Sequence, residues 1–128
     1  MVFGTSNFMK GLKYFKEKEF RCPCCGKSEM DEEFVQTLDI ARGFAGIPFK
    51  INSGWRCKEK NESLKNSSKN SAHLKGRAVD ISCKDSRSRA LILDALAWAG
   101  LNRFGISKTF IHTDNDPEKD KVVIWLYN

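Results

Sequence analysis

The sequence predicts a small α+β domain. Two stretches carry apolar residues at helical spacing, and four short runs have strand character. The strands and helices do not alternate as regular βαβ units, which points away from a parallel α/β fold. With 128 residues, the chain fits one domain rather than two. Residues 1–128 are therefore read as a single domain, with 1–13 as a loosely attached N-terminal segment.

Each element has its own signal. Ser28 and Asp31, three residues apart, resemble a capping box. Met30, Phe34, Leu38 and Ala41 then make one helical face, and Gly43 is a natural stop. A strand is expected over 49–52. The polar stretch 60–71, rich in Asn, Ser and Lys, is expected to be an exposed loop. A second strand is expected over 77–82. A second helix should run over 86–99, with Leu91, Ala95 and Trp98 on one face and Leu93 and Leu96 widening it; Gly100 ends it. Runs over 109–113 and 122–127 flank a turn-rich connection and are expected to form an antiparallel hairpin. Trp98 and Trp125 read as structural.

Composition narrows the function classes. Hydrophobic residues make up 41% and charged residues 30%, a globular balance. No apolar run approaches the roughly 18 residues that span a bilayer, so no membrane insertion is expected. The start lacks a basic segment followed by an apolar one, so a protein made in the cytoplasm is expected. The net charge of +6 favours an anionic partner, but no dense Lys/Arg block marks a nucleic-acid surface. Five cysteines cannot all pair within one chain. Three crowd into Cys22-Pro23-Cys24-Cys25, read as C-x-C-C rather than the C-x-x-C of a zinc knuckle. Local packing, or a pair with Cys57 or Cys83, is expected there in preference to a structural metal.

The chemistry gathers around the two histidines, His73 and His112. On a strand over 77–82, Val79 and Ile81 face one way and Asp80 the other. Gly76 permits a tight turn that folds His73 back towards Asp80. On the later strand, Phe110, His112 and Asp114 share a face. If the two strands are neighbours, two imidazoles and a carboxylate converge, a ligand set suited to catalytic zinc with an open position for water.

The stretch Ser71-x-His73-x-x-Gly76-x-Ala78-x-Asp80 resembles the signature of the M15 peptidases. That family holds zinc D-Ala-D-Ala carboxypeptidases and L-alanyl-D-glutamate peptidases and shares its fold with the signalling domain of hedgehog proteins. Ser53-Gly54-Trp55-Arg56 resembles the family's S-G-Y-R segment, with Asn61 following. His112-Thr113-Asp114 resembles its H-x-D element, and Tyr14-Phe15 through Phe20-x-Cys22 resembles the lead-in of the short phage and bacterial branch. The resemblance implies a small antiparallel sheet with two main helices packed on it. It also implies one zinc ion held by His73, Asp80 and His112, and hydrolysis of an amide bond in the stem peptide of bacterial peptidoglycan, as a carboxypeptidase or an endopeptidase. A monomer is expected, reaching the wall through phage lysis or another signal-independent export. A non-catalytic hedgehog-like zinc-binding module is the alternative, and a small basic nucleic-acid-binding protein, built on the Cys cluster and the net charge, stands behind both.

Further roles follow from the same resemblance. Arg56 would present a cationic fork to a substrate carboxylate or oxyanion. Ser71 would bind substrate, orient His73 or cap the turn. Trp55 would wall the pocket or join the core. Where many members carry an acidic base, three residues before the last histidine, this chain has Thr109. Asp114, roughly 6.7 Å along the strand from His112, would be the base or the carboxylate that fixes the imidazole. Asp116 and Glu118 are weaker candidates for the base.

Overall fold

A computed structural model describes residues 11–64 and 68–127. Of the N-terminal segment 1–13, residues 1–10 lie outside the described residues; Leu12 packs against the core, and the backbone N–H of Lys13 donates to the Asp39 carboxylate at 3.0 Å. A short 3-10 helix, Glu17–Phe20, follows and buries Phe20. The first α-helix, α1 (Glu32–Ala45), starts at Asp31, whose carboxylate accepts from the Phe34 N–H at 3.0 Å. The cap is thus Asp31 itself rather than the Ser28–Asp31 pair. The helix also runs past Gly43, which lies inside it against the Tyr14 ring, and ends at Gly46 in the left-handed region. The expected face holds: Phe34, Leu38 and Ala41 are buried, with Met30 just ahead of them.

The strands are β1 (Ile51–Ser53), β2 (Ala78–Ser82), β3 (Arg103–Ile106), β4 (Phe110–Asp114) and β5 (Val123–Leu126). Their order across the sheet is β1-β2-β4-β3-β5. All neighbours are antiparallel except β5, which runs parallel to β3. The expected β4–β5 hairpin does not form. Both edges of β4 are taken, by β2 and β3, so the returning chain pairs with the far edge of β3. β3 itself was not foreseen.

Two further helices complete the fold. The short α2 (Lys58–Ser63) occupies part of the stretch expected to be loop, with Asn61 buried; residues 65–67 of that stretch lie outside the described residues. The helix α3 (Ser86–Trp98) is capped by Asp85, which accepts from the Ser88 N–H at 2.8 Å. Its buried face is Ile92, Ala95 and Leu96 rather than the Leu91–Ala95–Trp98 stripe. Trp98 is 61% exposed and stacks on Phe44 of α1 at 4.3 Å. The two long helices pack on each other, and the core lies between them and one face of the sheet, with Val79, Ile81, Phe104 and Ile111 buried from the strands. The arrangement is α+β, with the opposite sheet face left for the polar residues of β2 and β4. No described helix is long and apolar enough to cross a membrane.

Candidate metal centre

Strand alternation sorts the residues of β2 and β4. Val79, Ile81, Ile111 and Thr113 go to the core and are fully buried. Asp80, His112 and Asp114 take the other face. Antiparallel register sets Asp80 directly opposite His112, and Ala78 opposite Asp114. His73 arrives from the preceding turn. Gly76 closes that turn at φ +70, and a Cβ there would lie 2.0 Å from the Glu29 carbonyl oxygen, so only glycine fits. The Oγ of Ser71 accepts from the His73 N–H at 3.2 Å and holds the turn from inside.

His73, Asp80 and His112 meet at one point. Asp80 Oδ1 lies 2.9 Å from His112 Nδ1 and 3.5 Å from His73 Nε2. One donor atom from each residue lies within 4.8 Å of the other two. The outward partner fixes the tautomer of His73. His73 Nδ1 is 2.8 Å from the Gly54 carbonyl, which can only accept, so that nitrogen carries the proton and the Nε2 lone pair faces Asp80. His112 has a carboxylate at each ring nitrogen, Asp114 Oδ2 at 2.7 Å from Nε2 and Asp80 Oδ1 at 2.9 Å from Nδ1; a proton held on Nε2 by Asp114 leaves Nδ1 able to ligate. Two imidazole lone pairs and a carboxylate oxygen facing one another fit a zinc ion, and the backbone carbonyl and Asp114 supply the outer hydrogen bonds that such ligands need.

The electrostatics agree. Burial works to raise the Asp80 pKa, but its interactions with the His112 and His73 imidazoles outweigh it and hold the carboxyl well below the usual range. Burial works against charge on His112, but hydrogen bonds to Asp114 and Asp80 raise its pKa. In the protein without an ion, the space between two carboxylates thus favours a positive charge.

The other predicted residues fall into distinct places. The Arg56 guanidinium, mostly buried, donates to Ser53 Oγ at 3.1 Å, Asn61 Oδ1 at 3.4 Å and Asp80 Oδ2 at 3.4 Å. Burial lowers its pKa, and Asp80 works against that. Trp55 leans on the core, with its indole N–H donating to the Leu74 carbonyl at 3.1 Å. Asp114 is 2% exposed and engaged through both oxygens: Oδ2 with His112, Oδ1 with Arg103 Nε at 2.7 Å and the Asp116 N–H at 3.2 Å. Asp116 is buried between the Lys75 and Lys119 ammoniums, and Glu118 pairs with Lys75. Thr109 sits exposed in the turn between β3 and β4.

Sequence reasoning missed the far wall. Trp125 lies with its ring centroid 5.5 Å from that of His112, Tyr127 follows on the same side, and Arg103 packs over Trp125 at 5.1 Å. The register makes this possible. Gly105 of β3 pairs with both His112 and Trp125, and a Cβ on Gly105 would meet Trp125 Nε1 at 2.5 Å. The missing side chain lets the indole lie across β3 towards His112. The alternation of Trp125 and Tyr127 was visible in the sequence, but the pairing with β3 was not.

No curated protein matches the chain. The family model described as Peptidase M15 matches residues 13–114, from the anchoring of the N-terminal segment on Asp39 to the carboxylate behind His112. The chain belongs to the M15 peptidase family.

Proposed function

We propose that the protein is a zinc-dependent peptidase that hydrolyses an amide bond in the stem peptide of bacterial peptidoglycan. The observation that carries this reading is the convergence of His73, Asp80 and His112, with one donor atom from each within 4.8 Å of the other two. His73, Asp80 and His112 would hold a zinc ion, which when bound would supply water activation and polarisation of the scissile carbonyl. The chain's own residues do the rest. Asp114 holds the His112 ring and its tautomer, the role its two engaged oxygens favour over that of a free base. Arg56 spends three of its five N–H donors on Ser53, Asn61 and Asp80, and the other two would serve a substrate carboxylate or developing oxyanion. Trp125 and Tyr127 form a wall on which a peptide or sugar plane can lie. The substrate class rests on the family and on the +6 charge, which suits an anionic wall. The wall is reached, on this reading, when the cell is opened at phage lysis.

The decisive experiment is mass spectrometry of muropeptides after digestion by zinc-loaded and metal-stripped protein. Cleaved stem peptides that vanish on stripping and return with zinc are expected. Absence of cleavage by protein shown to carry zinc would favour a hedgehog-like binding module instead. Thr109 at the family's base position and the full engagement of Asp114 are the observations behind that second reading.

A further inference from the structure

A second cluster of metal-ligating side chains stands apart from the histidine site. The structure brings Cys22, Cys25 and Cys57 together, one sulfur from each within 4.8 Å of the other two. Cys22 Sγ and Cys57 Sγ are 3.6 Å apart. Tetrahedral zinc with bonds of about 2.3 Å sets its sulfurs roughly 3.8 Å apart, so the trio needs little adjustment to close on an ion. The run read as C-x-C-C also contains the spacing of a zinc knuckle: Cys22 and Cys25 are separated by two residues, Pro23 and Cys24.

The backbone is shaped for sulfur ligands. Cys22 N–H donates to the Lys27 carbonyl and Gly26 N–H to the Cys22 carbonyl, both at 2.7 Å, with Gly26 at φ +74. This closes the loop 22–27 and turns Cys25 back towards Cys22. The Cys57 N–H points at Cys22 Sγ at 3.5 Å, and the Lys60 N–H points at Cys57 Sγ at 3.4 Å. Such N–H groups offset negative charge on a thiolate. Cys83 is not part of the cluster; its thiol faces the Asp85 carbonyl.

We propose that Cys22, Cys25 and Cys57 bind a second, structural metal ion, a thiophilic divalent cation of the zinc class, with Cys24 and Glu59 beside Cys57 as sources of the fourth ligand. The ion would tie the N-terminal loop to the start of α2. Cys57 caps that helix and directly follows Arg56, and the Trp55 N–H already donates to the Phe20 carbonyl at 3.0 Å. The second ion therefore anchors the segment that carries Arg56. Metal binding there would contribute to holding the six-residue helix in place.

The test uses the full chain with His73→Ala and His112→Ala, which removes two of the three ligands at the other centre. Prepared with reductant and titrated with cobalt(II), this protein is expected to bind one ion with an intense near-ultraviolet sulfur-to-cobalt charge-transfer band and tetrahedral visible bands. Adding Cys25→Ser, at an exposed position the core does not need, should weaken binding at least tenfold and reduce the band. Cys83→Ser should leave the band intact. A spectrum without sulfur charge transfer, or one unchanged by Cys25→Ser, overturns the assignment. So does a Cys22–Cys57 disulfide, with no bound metal, in protein purified without reductant. Because the histidine centre is disabled, the outcome does not depend on peptidase activity.

Discussion

At the scale of single residues, two aspartates on neighbouring strands, Asp80 of β2 and Asp114 of β4, do different work. Asp80 faces the ion position, while Asp114 faces the back of His112. Replacing Asp114 with Asn keeps the volume and one acceptor but removes the charge that favours a proton on His112 Nε2. We expect Asp114→Asn to fold and to lose about 10- to 100-fold in zinc affinity, read by competition with a chelating dye. Unchanged affinity together with abolished cleavage would restore Asp114 as the base. Asp116, two residues on, is a matter of stability. Burial works to raise its pKa, but hydrogen bonds from Lys119 and Lys75 hold it at about 2. In the unfolded chain it titrates near 3.9. Its folded value is depressed, so its contribution is complete above roughly pH 4 and is lost as the pH falls towards 2. Asp116→Asn should cost about 1–2 kcal/mol at pH 7. The gap from the wild type should close through that acid window, as measured by urea midpoints; parallel curves would refute the linkage.

At the scale of elements, legibility followed locality. His73, Gly76 and Asp80 lie within one turn and one strand, and period-two alternation was enough to put Val79 inside and Asp80 outside. The α1 face was readable because Phe34, Leu38 and Ala41 obey helical spacing over about two turns. The α3 face was not, because Leu91, Ile92, Leu93, Ala95, Leu96 and Trp98 offer several apolar stripes, and only packing against α1 selects among them. β5 was assigned to the wrong neighbour because pairing depends on which strand edges are already occupied, a property of the whole sheet. Cys57 joins Cys22 across 35 positions for the same reason. The turn that carries His73 gives the element-level test. Gly76→Ala must relieve both a left-handed φ and a contact with the Glu29 backbone, which no side-chain rotation can do. We expect a loss of about 3 kcal/mol in stability, seen in thermal or urea unfolding. Zinc affinity should fall with it, since His73 rides on that turn. A variant with native stability would mean that the turn is not built as described.

For the whole molecule, the question is which interactions extend beyond the site. Those within it are short and mostly buried: 2.7 Å from Asp114 to His112, 2.9 Å from His112 to Asp80, 3.4 Å from Arg56 to Asp80. Screening by salt acts weakly on such contacts, because the screening length is about 8–10 Å near physiological ionic strength and still about 3 Å at 1 M. The surface behaves differently. Its net charge of +6 is spread along the chain rather than gathered in one block, so its attraction to an anionic polymer is a sum of long-range terms through water. Salt weakens that sum first. If the protein works on the cell wall as proposed, cleavage of intact peptidoglycan should fall several-fold as sodium chloride is raised from about 0.05 to about 0.5 M. Cleavage of a short soluble stem peptide, which needs no long-range capture, should change much less over the same range. The comparison is made by following amine release from both substrates with one zinc-loaded preparation. Equal salt sensitivity would place the charge dependence inside the site, and insensitivity of both would remove the surface charge from the account of how the wall is recognised.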